Sequence, residues 1–260
     1  MLPPVRRFEF HLQGQHDQQD HAGGRAKSTV LDDLEGYDPE VAAERAAAMR
    51  AQAEAVEPEL TASLAKMIGD SDPAGYEAPE RGEGDLYGYD FRLKSEAKIA
   101  EKIGRVMVEK NMTLDEATAD IKDAVRYTAH FDEEEFGERT QSVIDTLRAE
   151  NPNVVVKNTW PPEKGVPYKG VNVNVYREDG LVYEVQFHTP GSQAVKDQMH
   201  LLYEEQRVLP KSNPRWQVLE DEMLAMGSGQ PVPRDAYKVF RVMKRRTPWY
   251  TDSVTGEAAT

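Results

Sequence analysis

Apolar residues recur along the chain at spacings that change from one stretch to the next, and those changes predict the elements. Residues 38–68 carry alanine, leucine and methionine at helical spacing. Pro58 is expected to split this stretch into two helices, because proline removes a backbone donor and crowds the preceding turn. Residues 69–90, with Gly, Pro, Asp and Tyr, read as a linker or long loop. Lys94–Lys110 predicts a basic amphipathic helix, and Thr113-Leu114-Asp115-Glu116 a capping box opening a short one. The period then drops to two. Strands are predicted at Ala124–His130, Asn153–Lys157, Gly170–Tyr176 and Leu181–His188. A helix at Asp132–Glu150, acidic in its first turn, separates the first two strands. A Pro/Gly-rich loop, Pro161–Pro167, precedes the third, and the Glu178-Asp179-Gly180 turn joins the last pair. Helices follow at Ser192–Arg207 and Pro214–Met226, then a final strand at Ala236–Met243. Trp216, Leu219, Met223 and Met226 fall at helical spacing and read as core. His130, in an apolar strand, reads as a core histidine rather than a ligand. The fold class predicted is α+β, a mixed sheet flanked by helices with a helical N-terminal extension. The expected divisions are a disordered tail at 1–35, a helical extension and linker at 36–89, a main folded domain at 90–246 and a disordered tail at 247–260.

Composition narrows the function classes. Without cysteine there are no disulfides, thiolate metal sites or cysteine nucleophiles, and a reducing compartment fits. No stretch approaches the ~18–20 apolar residues of a membrane span, and the first residues lack the apolar core of a signal peptide. The expectation from these features is a cytoplasmic protein with no membrane partner; a virion-associated place is the alternative that the likeness of Gly14–Gly24 to phage-protein linkers implies. The formal net charge of −14 argues against a generic nucleic-acid binder. Basic residues nevertheless cluster at Arg92–Arg105 and Lys238–Arg246, which suits a small phosphorylated ligand held with a metal.

The chemistry centres on Tyr183-Glu184-Val185-Gln186-Phe187-His188-Thr189. Alternation puts Glu184, Gln186 and His188 on one face of a strand and Tyr183, Val185 and Phe187 on the other. Taken alone, that pattern equally describes a half-buried strand with one wet face. Upstream stands Lys157-Asn158-Thr159-Trp160-Pro161-Pro162-Glu163-Lys164-Gly165-Val166-Pro167-Tyr168-Lys169-Gly170-Val171-Asn172. In order and spacing these segments resemble the synthetase domain of RelA/SpoT-type alarmone synthetases. That family has a strand ending in Lys-Asp/Asn, a Pro-Lys…Gly-Tyr-Arg-Ser-x-His loop, and a hairpin to Glu-x-Gln-x-Arg-Thr. Arg92-Leu93-Lys94-Ser95 with Lys98 and Lys102 looks like the family segment that grips the ATP phosphates. His200-Leu201-Leu202-Tyr203 is similar to the His-x-x-Tyr of the following helix. The resemblance covers about 150 residues and implies transfer of pyrophosphate from ATP to the 3′-hydroxyl of an acceptor nucleotide, with Mg²⁺. It assigns Arg92, Lys94, Lys98 and Lys102 to the donor phosphates. Tyr168 is assigned to stacking on the acceptor base from an exposed loop, with Lys169, Asn172, Gln186, His188 and His200 around the acceptor. Asp123 and Glu184 become the catalytic carboxylates and metal ligands, with Glu184 either ligand or base. Asp120 is the alternative to Asp123, because no aspartate stands five residues before Arg126 as the family pattern requires.

Asn172 replaces the family histidine and His188 the family arginine. Such a divergent loop looks closer to the small toxin branch, whose acceptors are adenine or guanine nucleotides or the 3′ end of tRNA. Gly14–Gly24 resembles linkers of phage head-morphogenesis proteins, and its His16 and His21 carry little weight as metal ligands. A growth-inhibiting effector of phage or mobile-element origin, with an antitoxin or capsid protein as partner, is the expected context. The alternative is a catalytically inactive head-associated interaction protein using the same fold. A nuclease or another nucleotidyltransferase would share the two-carboxylate logic.

Overall fold

The computed structural model describes residues 36–74, 84–151, 153–162 and 165–240. Both expected tails, the His16–His21 stretch, and residues beyond 240 lie outside the described residues.

Helix α1 (Pro39–Ile68) starts at Asp38, whose carboxylate accepts from the amides of Glu40 and Val41. It ends at Gly69 in the left-handed conformation. The expected split at Pro58 does not occur, and the helix runs through it. Proline forfeits one backbone hydrogen bond, to the Glu54 carbonyl. Ala46, Ala53, Leu60, Leu64 and Ile68 are buried on both sides of that point and hold the helix against the core. Strand β1 (Asp85–Leu86) forms where a loop was expected and pairs antiparallel with β2 (Val125–His130). Helix α2 (Glu96–Lys110) is capped by Ser95. Helix α3 (Leu114–Ala119) opens with the expected Thr113/Glu116 capping box. Then come α4 (Phe136–Glu150), β3 (Asn153–Asn158), β4 (Val171–Tyr176), β5 (Val182–His188), α5 (Pro190–Gln206) and α6 (Pro214–Ser228).

Among the described residues five strands make one mixed sheet in the order β1-β2-β5-β4-β3, in which only the β2–β5 pair runs parallel. The class is α+β, a mixed sheet flanked by helices. Val125, Tyr127, Val171, Val173, Val175, Val185 and Phe187 share one hydrophobic cluster with α1, α2 and α4. Helix α1 and strand β1 thus belong to the same core as the residues after 90. The final strand expected at Ala236–Met243 is instead a 3₁₀ turn at Ala236–Lys238, as far as residue 240. The buried amide of Asn158, the last residue of β3, donates to the carbonyls of Ala236 at 2.8 Å and Val239 at 3.2 Å, which ties this segment down by a side chain rather than by strand pairing.

Candidate functional site

The face of the sheet opposite the core is polar, and register decides which of its residues meet. Parallel pairing sets Arg126 beside Glu184 and Thr128 beside Gln186, while β4 sets Asn174 beside Glu184 and Asn172 beside Gln186. Within β5, the Gln186 amide donates to Glu184 Oε2 at 2.8 Å, which fixes the two on one face.

Asp123 stands just before β2 and is 9% exposed. Two cations close on it. Lys102 Nζ, from α2, lies 2.6 Å from Oδ1, and Lys94 Nζ lies 3.5 Å from Oδ2. Backbone pairing places Lys94: its amide donates to the Ala124 carbonyl at 3.0 Å, and the Arg126 amide donates to the Arg92 carbonyl at 2.7 Å. Burial alone would raise the Asp123 carboxyl, but Lys94, Lys102 and Arg126 together hold it below its ordinary value. Lys94 is itself pulled down, by burial first, against the attraction of Asp123. Glu184 goes the other way. Burial raises its carboxyl, Arg126 opposes that, and the like charge of Asp123 adds to it. The sheet thus brings two carboxylates into one electrostatic unit with opposite tendencies, Asp123 held ionised and Glu184 inclined to take up a proton. Both are hard oxygen donors of the kind that hold Mg²⁺ together with substrate phosphates, which need only one or two protein carboxylates. Among the described residues no larger group of His, Asp and Glu gathers as a metal cage.

Beside this unit lies a second network. The Tyr168 hydroxyl donates to Asn172 Oδ1 at 2.5 Å and lies 2.9 Å from His188 Nε2, with the rings edge to face. His188 is fully buried, and burial together with the charges of Lys196 and His130 holds it neutral. With the phenol proton on Asn172, the proton of His188 sits on Nε2, and Nδ1 faces the Ser192 hydroxyl at 3.0 Å. Gly170 makes this packing possible, since a Cβ there would come 2.7 Å from His188 Cε1 and 2.8 Å from the Tyr168 hydroxyl. Gly227 of α6 lets the helix sit directly on the Pro167 backbone that precedes the tyrosine.

No protein-family model and no curated protein matches the sequence. Among solved structures, the chain is similar to the complex of the Type VI effector Tas1 and its immunity protein, at 19% identity and a TM-score of 0.44. That match covers 76% of this chain and 96% of the other. It is also similar to a GTP pyrophosphokinase family protein from Streptococcus pneumoniae, at 16% identity and a TM-score of 0.39, over 68% of this chain and 97% of that one. Likenesses this distant do not carry an activity across.

Of the residues singled out in the sequence, the fold brings together Lys94, Lys102, Asp123, Glu184 and Gln186. Asp120 is elsewhere, at the end of α3, paired with Lys110 and Lys122. Arg92 turns away from the carboxylates. Its guanidinium meets Glu57 of α1 at 2.5 Å and stacks on Tyr89 at 3.8 Å. Lys98 reaches Glu101 at 3.8 Å, and His200 is exposed on α5. Lys169 is buried, its Nζ 3.3 Å from the Thr159 carbonyl oxygen. Tyr168 was expected on an exposed loop. It is half-buried with its hydroxyl inward, because Asn172 and His188 satisfy that hydroxyl in the interior. His130 is buried as expected, stacked on Tyr87 with Nδ1 3.6 Å from Asp85. Sequence reasoning overlooked two members of the polar face. Arg126 served only to align a motif, although its place in β2 puts it on the Thr128 side of the strand. Lys196 of α5 carried no motif at all, and only the fold reveals its contact with Gln186, at 2.8 Å.

Proposed function

We propose that this polar face transfers pyrophosphate from ATP to the 3′-hydroxyl of an acceptor nucleotide or tRNA end. The observation that carries the reading is the joining of Asp123 and Glu184 with Lys94, Lys102 and Arg126 on one sheet face. These residues come from three segments distant in sequence, in the order of the resembled motifs.

In the reaction the acceptor 3′-oxygen attacks the β-phosphorus of ATP. An oxygen–phosphorus bond forms, the bond to the α,β-bridging oxygen breaks, and AMP leaves. The hydroxyl proton must go to a base. Glu184 suits that role, because burial and Asp123 raise its carboxyl toward the range where a general base works best, a contribution of about 10²–10⁴-fold. Lys94 and Lys102 offset the charge that builds on the phosphoryl oxygens. Asp123, kept ionised, would hold Mg²⁺, which supplies neutralisation of the donor phosphates. A growth-inhibiting role with a neutralising protein partner belongs to the same reading.

The test is incubation of the purified chain with β,γ-labelled ATP, Mg²⁺ and GDP, GTP, AMP or deacylated tRNA. Label should move to at least one acceptor, and Glu184→Gln should abolish it. Wild-type protein that labels none of the four refutes the reading. In a bacterial host, expression of wild type should slow growth and Glu184→Gln should not.

A further inference from the structure

The cations of the polar face fall into two groups. Lys94 and Lys102 are already closed on Asp123. Among the described residues Lys196, reaching in from α5, makes no ion pair within contact distance of a carboxylate. Its Nζ donates to Gln186 Oε1 at 2.8 Å and lies 3.4 Å from Gln193 Oε1, both neutral amide oxygens. Its neighbour Asp197 is occupied elsewhere, accepting from Gln193 at 2.7 Å and from the Tyr87 hydroxyl at 3.1 Å. A shielded ammonium whose hydrogen-bond acceptors are all neutral is costly to keep, even with Asp197 and Glu184 attracting it from farther off. Burial, with Arg126 as a nearby like charge, outweighs the attraction of Asp197 and Glu184 and pulls Lys196 down to about 8, so it is still mostly charged at neutral pH.

Position gives this charge a direction. Strands β2 and β5 run parallel, so Asp123 lies beyond the N-terminal end of the Arg126–Glu184 pair and Gln186 lies on its C-terminal side. Glu184 therefore stands between two cationic stations, Lys94 with Lys102 on one side and Lys196 on the other. Phosphoryl transfer puts attacking and leaving oxygens roughly in line on opposite sides of the reacting phosphorus. With the donor at Lys94 and Lys102, the acceptor falls on the Lys196 side.

We propose that Lys196, seated by Gln186 and Gln193, binds a phosphate of the acceptor nucleotide. This rests on the pyrophosphate-transfer reading for the word acceptor, whereas the anion subsite itself rests on the contacts of Lys196.

Two variants of the full chain test it. Lys196→Met keeps the aliphatic stem and removes the charge, and Lys196→Arg keeps the charge. Affinities are measured by titration calorimetry with Mg²⁺ present, for GMP and AMP against guanosine and adenosine, and for a non-hydrolysable ATP analogue. Losing a charge-assisted contact should weaken GMP or AMP binding about 10- to 100-fold in Lys196→Met. Nucleoside and ATP-analogue affinities should stay as in wild type, and Lys196→Arg should recover most of the loss. In turnover, the acceptor KM should rise while the ATP KM holds. The proposal is overturned if Lys196→Met binds GMP and AMP as wild type does, if it loses nucleosides and ATP analogue equally, or if wild type prefers neither nucleotide over its nucleoside. Melting curves of both variants establish that they fold. Nucleotide binding that depends on Lys196 without any label transfer would sink the proposed reaction and leave the subsite. Transfer indifferent to Lys196 would do the reverse.

Discussion

Replacing Gly227 by alanine sets two effects of opposite sign against each other. Gly227 lies inside α6, where alanine is better than glycine by about 1 kcal/mol on helix propensity alone. An added Cβ, however, would come 2.0 Å from the Pro167 carbonyl oxygen and 2.8 Å from its carbon. Neither atom belongs to a side chain that could rotate away. Helix and loop would have to part by roughly 1 Å to restore ordinary contact, and overpacking of this kind costs about 1–3 kcal/mol or more. At so short a distance the upper part of that range applies, so the variant should lose a net ~1–2 kcal/mol. For a domain of this size that lowers Tm by about 2–8 °C. The control is Gly229→Ala two residues on, where the nearest atom is 3.4 Å away and φ is −79°, so Tm should move by less than about 2 °C. Differential scanning calorimetry at neutral pH reads both. Because Pro167 leads into Tyr168, the same displacement should lower turnover with acceptor by up to about 10²-fold. A Gly227→Ala protein that melts at or above wild type would refute the packing argument.

The two aspartates should separate on denaturation. Asp123→Asn strands Lys94 and Lys102 without their partner and should cost up to about 3 kcal/mol in urea unfolding, while Asp120→Asn, whose partners Lys110 and Lys122 keep access to water, should cost less than about 1 kcal/mol. Equal losses would count against Asp123 as the charge organiser. Since the folded state holds Asp123 below its ordinary 3.8, its stabilisation is full above that pH and disappears as pH falls through the lower folded value. Acid titration of Asp123→Asn should therefore show a shallower stability loss below pH ~4 than wild type. Glu184 has the opposite sign: held above its ordinary 4.5, it favours the fold when protonated, and that contribution is gone once pH exceeds the folded value. Glu184→Gln should thus raise Tm at pH 7 while removing activity, and a lower Tm at pH 7 would show that the ionised carboxylate is structurally needed.

Much of the sheet was legible because strand alternation is a local property. Tyr183, Val185 and Phe187 had to face one way and Glu184, Gln186 and His188 the other, whatever the rest of the chain did. Which residue of β2 stands beside Glu184 is a different kind of fact. It depends on a parallel pairing closed through α4, β3 and β4, so Arg126 could be read as polar and not as the partner of a carboxylate. Lys196 shows the same limit on a helix, where its i−3 neighbour Gln193 is visible in the sequence but Gln186 across the interface is not. Arg92 and Lys94 stand two residues apart, a spacing that suggests one shared face. The 3₁₀ turn at Tyr89–Phe91 ends at Arg92 with helical backbone, so Arg92 meets α1 while Lys94 meets Asp123. Pro58 misled for a simpler reason: its cost is local, whereas the burial holding α1 together is spread along the whole helix.

The charges of the polar face also bear on how an acidic protein could take an anionic substrate. Lys94, Lys102, Arg126 and Lys196 outnumber Asp123 and Glu184 by two, against a whole-chain charge of −14. The surplus is confined to one face. At physiological salt the Debye length is about 8 Å, so exposed acidic residues farther away than that are largely screened from the site. Nucleic acid spread across the surface would meet repulsion over most of its length. A nucleotide small enough to lie within the basic patch would meet only the local excess.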